Sequence, residues 1–400
     1  MKPHQYRPET EAVRGGTDLS RKNGPLATPI YQTSTFESAD VAAAIDCATT
    51  DAFYTRNGNP TITVAERAIA ALEGADRALL FASGMGAVST SIMTLVKSGD
   101  HIVAQRDIYG GVAKFLGAWL PQFGVDTTFV DSTDYAAYAR AIRPSTRLLH
   151  LESPTNPTLK IVDLRKAASL AKQHNLLTMI DSTFATPINQ RPVEFGIDLV
   201  IHSGTKYFGG HSDLICGMVA GRLDLIERIH ETRTILGGTM DPHAAWLLLR
   251  GVKTLAVRVQ RQNENALRIA RFLSGHAGVR TVHYPFLEGH PQYQLAVAQM
   301  HGGGGMLSFE TEGSAEDARR LVEGLRLFTL AVSLGGVDSL VTLPRYSSHA
   351  MISEEQREQM GVSDRLIRMS VGIENADDLI ADLEQALAAM SSSRQPARVG

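Results

Sequence analysis

Short apolar runs alternate with stretches of helical period through the middle of the chain, and this rhythm sets its architecture. Val64, Ala65, Ala68, Ile69 and Leu72 recur at the spacing of one helix face, and Gly74 closes that helix. Residues 77–82 follow as a strand, and small residues at 83–87 hand it over to a helix at 88–96. Further strands are predicted at 101–104, 125–130, 147–151, 176–180 and 197–201, with helices at 111–120, 135–142 and 164–174 between them. Strands alternating with helices imply an α/β fold: a mostly parallel sheet, helices on both faces, and chemistry at the carboxyl ends of the strands.

The flanks read differently. Residues 1–60 carry turn formers such as Gly15-Gly16, Gly24-Pro25 and Asn57-Gly58-Asn59-Pro60, which predicts an extended arm with at most one short helix, reaching towards a neighbouring subunit. Residues 61–254 form the large domain. A polar helix at 255–273, bearing Arg258, Arg261, Asn263 and Glu264, opens a smaller α+β domain over 255–400, with strands at 306–310 and 330–334 and helices at 315–325 and 376–390. The polar tail at 391–400 is expected to fray.

Composition narrows the partners. With 39 basic and 42 acidic residues among 400, the net charge of −3 offers no field for nucleic acid or an anionic membrane. The two cysteines, Cys47 and Cys216, stand too far apart in sequence for a metal-binding spacing and too few for a disulfide framework. The N-terminus lacks the apolar core of a signal peptide and no apolar run is long enough to span a bilayer, so a cytoplasmic location is expected.

The candidate chemistry gathers at the predicted strand ends. Ser203-Gly204-Thr205-Lys206 follows the run Ile197-Asp198-Leu199-Val200-Ile201, so Lys206 sits among small residues just past a buried strand. Burial disfavours a charged amine, and a neutral amine can form a Schiff base with an aldehyde. Asp181 ends another strand and could hold a protonated ring nitrogen; Tyr109 could stack on a ring. Ser83-Gly84-Met85, Ser203 and Thr205 could hold a phosphate at a helix N-terminus. Singly, each has a plainer reading: Asp181 as a helix cap, Tyr109 as core packing, Ser203 and Thr205 as turn formers. Jointly they describe a site for pyridoxal 5′-phosphate (PLP), whose ring acts as an electron sink. Neither GxxxxGK[ST] nor a strand-linked GxGxxG is present, which leaves nucleotide-binding folds without support.

These residues lie within motifs that resemble the trans-sulfuration group of fold-type I PLP-dependent enzymes, which includes cystathionine γ-synthase, cystathionine γ-lyase, cystathionine β-lyase and methionine γ-lyase. The motifs include Tyr54-Thr55-Arg56-Asn57-Gly58-Asn59-Pro60-Thr61, Ser83-Gly84-Met85, Glu152-Ser153-Pro154-Thr155-Asn156-Pro157, Asp181-Ser182-Thr183-Phe184-Ala185, Ser203-Gly204-Thr205-Lys206-Tyr207 and Ile367-Arg368-Met369-Ser370-Val371-Gly372. The likeness runs from about Gly15 to Leu387. It implies Lys206 as Schiff-base lysine and proton shuttle, Asp181 as partner of the ring nitrogen and Tyr109 as ring stacker. Ser83, Gly84, Met85, Asn156, Thr183, Ser203 and Thr205 complete the cofactor set. The resemblance further implies that Tyr54 and Arg56 reach the phosphate of an adjacent subunit, within a homotetramer that shares its active sites. Arg368 would clamp the carboxylate of an amino-acid substrate, with Asn156 and Ser333 nearby.

The distal pocket departs from the family pattern. Where cystathionine γ-lyases place an Arg, the stretch Tyr109-Gly110-Gly111-Val112-Ala113-Lys114 offers Lys114, and Asp338 stands where the family has Glu. Typical methionine γ-lyases carry a Cys at the position of Gly111. The implied activity is carbon–sulfur chemistry at the γ carbon, of the cystathionine γ-lyase or γ-synthase type. Methionine γ-lyase activity and replacement on an O-acyl-homoserine are the alternatives. A catalytically silent scaffold would have no need of Lys206, Asp181 and Arg368 together.

Overall fold

The computed structural model describes residues 6–17, 23–47, 50–347 and 354–392. The large sheet contains β1 (Arg77–Phe81), β2 (His101–Gln105), β3 (Asp126–Val130), β4 (Thr146–Glu152), β5 (Leu177–Asp181), β6 (Leu199–Ser203) and β7 (Gly217–Gly221), in the order β1-β7-β6-β5-β4-β2-β3. β2 to β6 pair in parallel, and β7 is antiparallel to both β1 and β6.

Both faces of this sheet are covered, which is why its strands are apolar on both sides. Phe81, Met179, Ile201 and Val219 face a core shared with the helices Gly84–Leu95 and Leu223–Leu236. On the opposite face, Leu80 and Met218 pack with the helices Pro60–Glu73 and Pro242–Val252, while Leu149, Ile180 and Val200 pack with Leu164–Gln173. Alternate residues of one strand therefore serve different cores.

The small sheet comprises β8 (Val279–His283), β9 (Met306–Thr311), β10 (Thr329–Leu330), β11 (Leu340–Thr342) and β12 (Leu366–Ser370), ordered β10-β11-β12-β9-β8. The helices Leu255–Ser274, Ala315–Gly324 and Ala376–Ser392 pack against it through Ile269, Leu321 and Leu383.

Three expectations need correction, and one strand is unanticipated. The arm holds two short helices, Pro8–Arg14 and Val41–Cys47, rather than at most one. The helix expected at 111–120 is broken into Gly110–Lys114, a π turn at Phe115–Trp119 and a 3₁₀ turn at Leu120–Phe123, where Pro121 cannot continue an α ladder. The strand expected at 330–334 stops at Leu330, because Ser333 (φ +88°) and Gly335 (φ +75°) adopt left-handed backbone. Finally, β7 escapes a sequence reading because it is only five residues long and glycine at both ends. Gly217 is required there: a Cβ would lie 2.1 Å from the carbonyl oxygen of Ser83. Part of the tail expected to fray, from residue 393, lies outside the described residues.

Candidate active site

Strand ends of the large sheet converge with the loop before β11 and with β12. Lys206 follows β6 in a tight turn in which Gly210 N–H donates to the Lys206 carbonyl at 2.8 Å. Arg258, buried on the helix Leu255–Ser274, donates to the carbonyl oxygens of Tyr207 at 2.7 Å and Gly251 at 2.8 Å, which pins that turn to the end of the preceding helix. The Lys206 amine donates to Ser333 Oγ at 2.8 Å. Burial, with the Arg368 guanidinium adding to it, holds that amine below the ordinary lysine value.

Arg368, on β12 and only 5% exposed, donates from Nη1 to Asn156 Oδ1 at 3.0 Å and from Nη2 to the Ser333 carbonyl at 3.3 Å. Its planar fork is thus held between the large domain and the loop that also receives Lys206. Asp181, the last residue of β5, accepts from Thr183 N–H at 2.9 Å, and burial pushes its carboxyl above the ordinary value. Thr183 Oγ1 accepts in turn from Ser203 N–H at 2.9 Å, which ties the β5 and β6 ends together.

The helix Gly84–Leu95 begins beside them. Ser83 caps it, its Oγ accepting from Gly86 N–H at 3.0 Å, and the first-turn N–H groups of Gly84 and Met85 have no intrahelical acceptor. Gly84 leaves this end open: a Cβ there would lie 3.2 Å from Ser203 Oγ. Tyr109, 46% exposed, sits at the start of Gly110–Lys114, and its N–H donates to Glu152 Oε2 at 2.7 Å. Its ring folds back over Gly111, where a Cβ would lie 2.6 Å from Tyr109 Cε1 and 3.3 Å from Met85 Sδ.

Not every expected residue joins this cluster. Thr205 Oγ1 donates to the Cys216 carbonyl at 3.2 Å and accepts from Cys216 N–H at 2.9 Å, so its hydroxyl is engaged with the β6–β7 connection. Lys114 and Asp338 are exposed, and neither has a recorded bond to the cluster. Arg56 donates to the Thr234 carbonyl at 2.8 Å and lies over the Tyr54 ring at 5.4 Å; together they line a cleft of about 430 Å³ with Gln32 and Asp241. Glu152 stands in sequence among the candidate polar residues at strand ends and opens a motif, but nothing in the sequence gives it a role of its own. Its signal was its position at a strand end.

An amine of lowered pKa, a carboxylate, a helix N-terminus opened by glycine onto a serine hydroxyl, and a partly exposed aromatic ring suit the aldehyde, ring nitrogen, phosphate and ring face of PLP. The residues present fit the group. Fold and site together define an enzyme of the PLP-dependent fold-type I class. Residues 9–388 match the family described as Cys/Met metabolism PLP-dependent enzyme, and the chain belongs to that family. It is 43% identical over 386 residues to an L-methionine gamma-lyase from Fusobacterium nucleatum, covering 94% of this chain and 97% of that one. It is also 42% identical over 380 residues to a cystathionine gamma-lyase from Bacillus subtilis, covering 95% and 98%. The solved structure of a cystathionine gamma synthase from Xanthomonas oryzae pv. oryzae superposes with a TM-score of 0.93 at 39% identity, covering 98% of this chain and all of that one. Among the described residues, no helix is long and apolar enough to cross a membrane.

Proposed function

We propose that the protein acts at the γ carbon of a sulfur amino acid or an activated homoserine, as a cystathionine γ-lyase or γ-synthase. The observation that carries this reading is the placement of Lys206 and Arg368 on one residue: the amine bonds Ser333 Oγ and the guanidinium bonds the Ser333 carbonyl. A substrate carboxylate held by the Arg368 fork would therefore bring its α carbon close to the only lysine of the cluster.

PLP, when bound, supplies the electron sink that stabilises negative charge next to the substrate nitrogen. Lys206 Nζ takes the proton from the α carbon and, being on a flexible stem, can move it to or from the β carbon. Its lowered pKa suits this task, since a larger fraction is neutral at physiological pH. Asp181 would hold the ring nitrogen, and a cation placed beside it would reverse the upward push of burial on its carboxyl. Gly84 and Met85 N–H groups, with Ser203 Oγ, would hold the phosphate. For Thr205 to join them, its O–H would have to leave the Cys216 carbonyl.

Tyr54 and Arg56 complete the phosphate site of a neighbouring subunit on this reading, in a homotetramer. Exposed apolar side chains on the arm, including Leu26, Val41 and Ile45, support an assembled state.

A second reading, methionine γ-lyase, draws on the 43% identity to an enzyme of that name. Gly111 weighs against it, because the cysteine typical of those enzymes could not be seated here without moving Tyr109. Purified protein with PLP should be given L-cystathionine, L-methionine, or O-acetyl-homoserine with L-cysteine. Formation of 2-oxobutyrate from cystathionine, or of cystathionine from the last pair, is expected to exceed methanethiol release from methionine. Dominant methanethiol release would overturn the first reading in favour of the second.

A further inference from the structure

Glu152 and Asp181 end adjacent parallel strands as direct register partners. Parallel neighbours lie about 4.8 Å apart and paired residues project from the same face, so the two carboxyls emerge side by side. Glu152 is 5% exposed. Two like charges at that spacing, away from water, strongly disfavour double ionisation.

The other groups facing Glu152 pull both ways. Asp107, after β2, is 2% exposed and paired with Lys160 at 2.8 Å. Arg368 faces the site from β12 and attracts Glu152 through space, but its hydrogen bonds go to Asn156 and the Ser333 carbonyl. His150, two residues earlier on the same face of β4, is fully buried without a hydrogen-bond partner, and burial lowers its pKa to about 4, so it brings no positive charge. Burial first, then Asp181, pushes the Glu152 carboxyl well above the ordinary range, while bonds from the Tyr109 and Asn156 N–H groups pull the other way.

We propose that Glu152 is a positioning residue that keeps its proton at neutral pH: as a neutral acid it accepts from Tyr109 N–H and fixes the root of that ring without placing a second negative charge beside Asp181. This rests on Tyr109 and Asp181 being the ring stacker and the ring-nitrogen partner. Asp181 is then the one anion offered to the cofactor ring. A charged Glu152 would compete for the same cation and loosen the register between ring and carboxylate.

The protonation half is tested without cofactor, so it stands or falls separately from the proposed activity. Cofactor-free wild-type protein labelled with ¹³C at glutamate carboxyls is titrated by NMR. One resonance is expected to remain at the un-ionised position at pH 7, to vanish in Glu152→Gln, and to titrate at lower pH in Asp181→Asn. The second change identifies Glu152 even if Glu152→Gln fails to fold. If every glutamate resonance is ionised at pH 7, or the persistent one ignores Asp181→Asn, the proposal is wrong. The positioning half is read from PLP affinity: Glu152→Ala should weaken it about tenfold, and Glu152→Gln, which keeps an acceptor oxygen but cannot carry charge, should recover most of that loss. Equal losses in both variants would mean that the site uses a negative charge at 152, and would overturn the assignment.

Discussion

Lys206 and Ser333, 127 residues apart in sequence, are joined by a 2.8 Å hydrogen bond, and Ser333 makes it from left-handed backbone at φ +88°. A non-glycine residue there is strained by about 1–3 kcal/mol, and it sits between the Lys206 amine and the Arg368 guanidinium. Ser333→Gly should raise the unfolding midpoint relative to Ser333→Ala, since only glycine relieves the backbone. Both should lower kcat by about tenfold through loss of the bond that aims Lys206. Calorimetry and steady-state kinetics on the pair separate strain from aim.

Arg368→Lys should raise KM for the amino-acid substrate by about 10- to 100-fold, because an ammonium cannot hold Asn156, the Ser333 carbonyl and a carboxylate with one planar fork. Cofactor absorbance should be unchanged, which distinguishes a substrate clamp from a general loss of structure.

The carboxyls of Asp181 and Glu152 are both raised by burial, so the folded cofactor-free protein binds more protons than the unfolded chain above the ordinary carboxylate range. Their contribution to stability is complete below pH of about 4 and is lost as pH rises through the folded values. The Glu152→Gln protein should lose less stability than wild type between pH 5 and 8 in denaturant titrations. A parallel pH dependence in the two proteins would contradict the assignment of that slope to Glu152.

Much of this was legible in the residues. Lys206, Asp181 and Tyr109 each follow an apolar run directly, and the parallel sheet brings strand ends together whatever their separation in sequence. What escaped was set by tertiary contact. The backbone turn at Ser333 ended an apparent strand at 330–334, and nothing in Leu330-Ala331-Val332 signals that Lys206 will bond there. Likewise Glu152 stands at a predicted strand end without a role until its register with Asp181 is known. The hydroxyl of Thr205, read as a phosphate ligand, turned out to bridge to Cys216, a partner eleven residues on across the β6–β7 turn.

If Tyr54 and Arg56 serve a neighbouring subunit, Arg56→Ala and Lys206→Ala should complement each other. Each variant alone should be nearly inactive, while unfolding and refolding an equal mixture should restore about a quarter of wild-type sites. Activity no greater than the sum of the parents would place Arg56 in its own chain's function, where it caps Thr234.

Chemical trapping shows whether Lys206 carries the cofactor. Protein saturated with PLP is reduced with borohydride, digested and analysed by mass spectrometry. A phosphopyridoxyl mass is expected on the peptide containing Ser203-Gly204-Thr205-Lys206, absent from Lys206→Ala. A tag on another lysine, or none on folded and saturated wild-type protein, would contradict it.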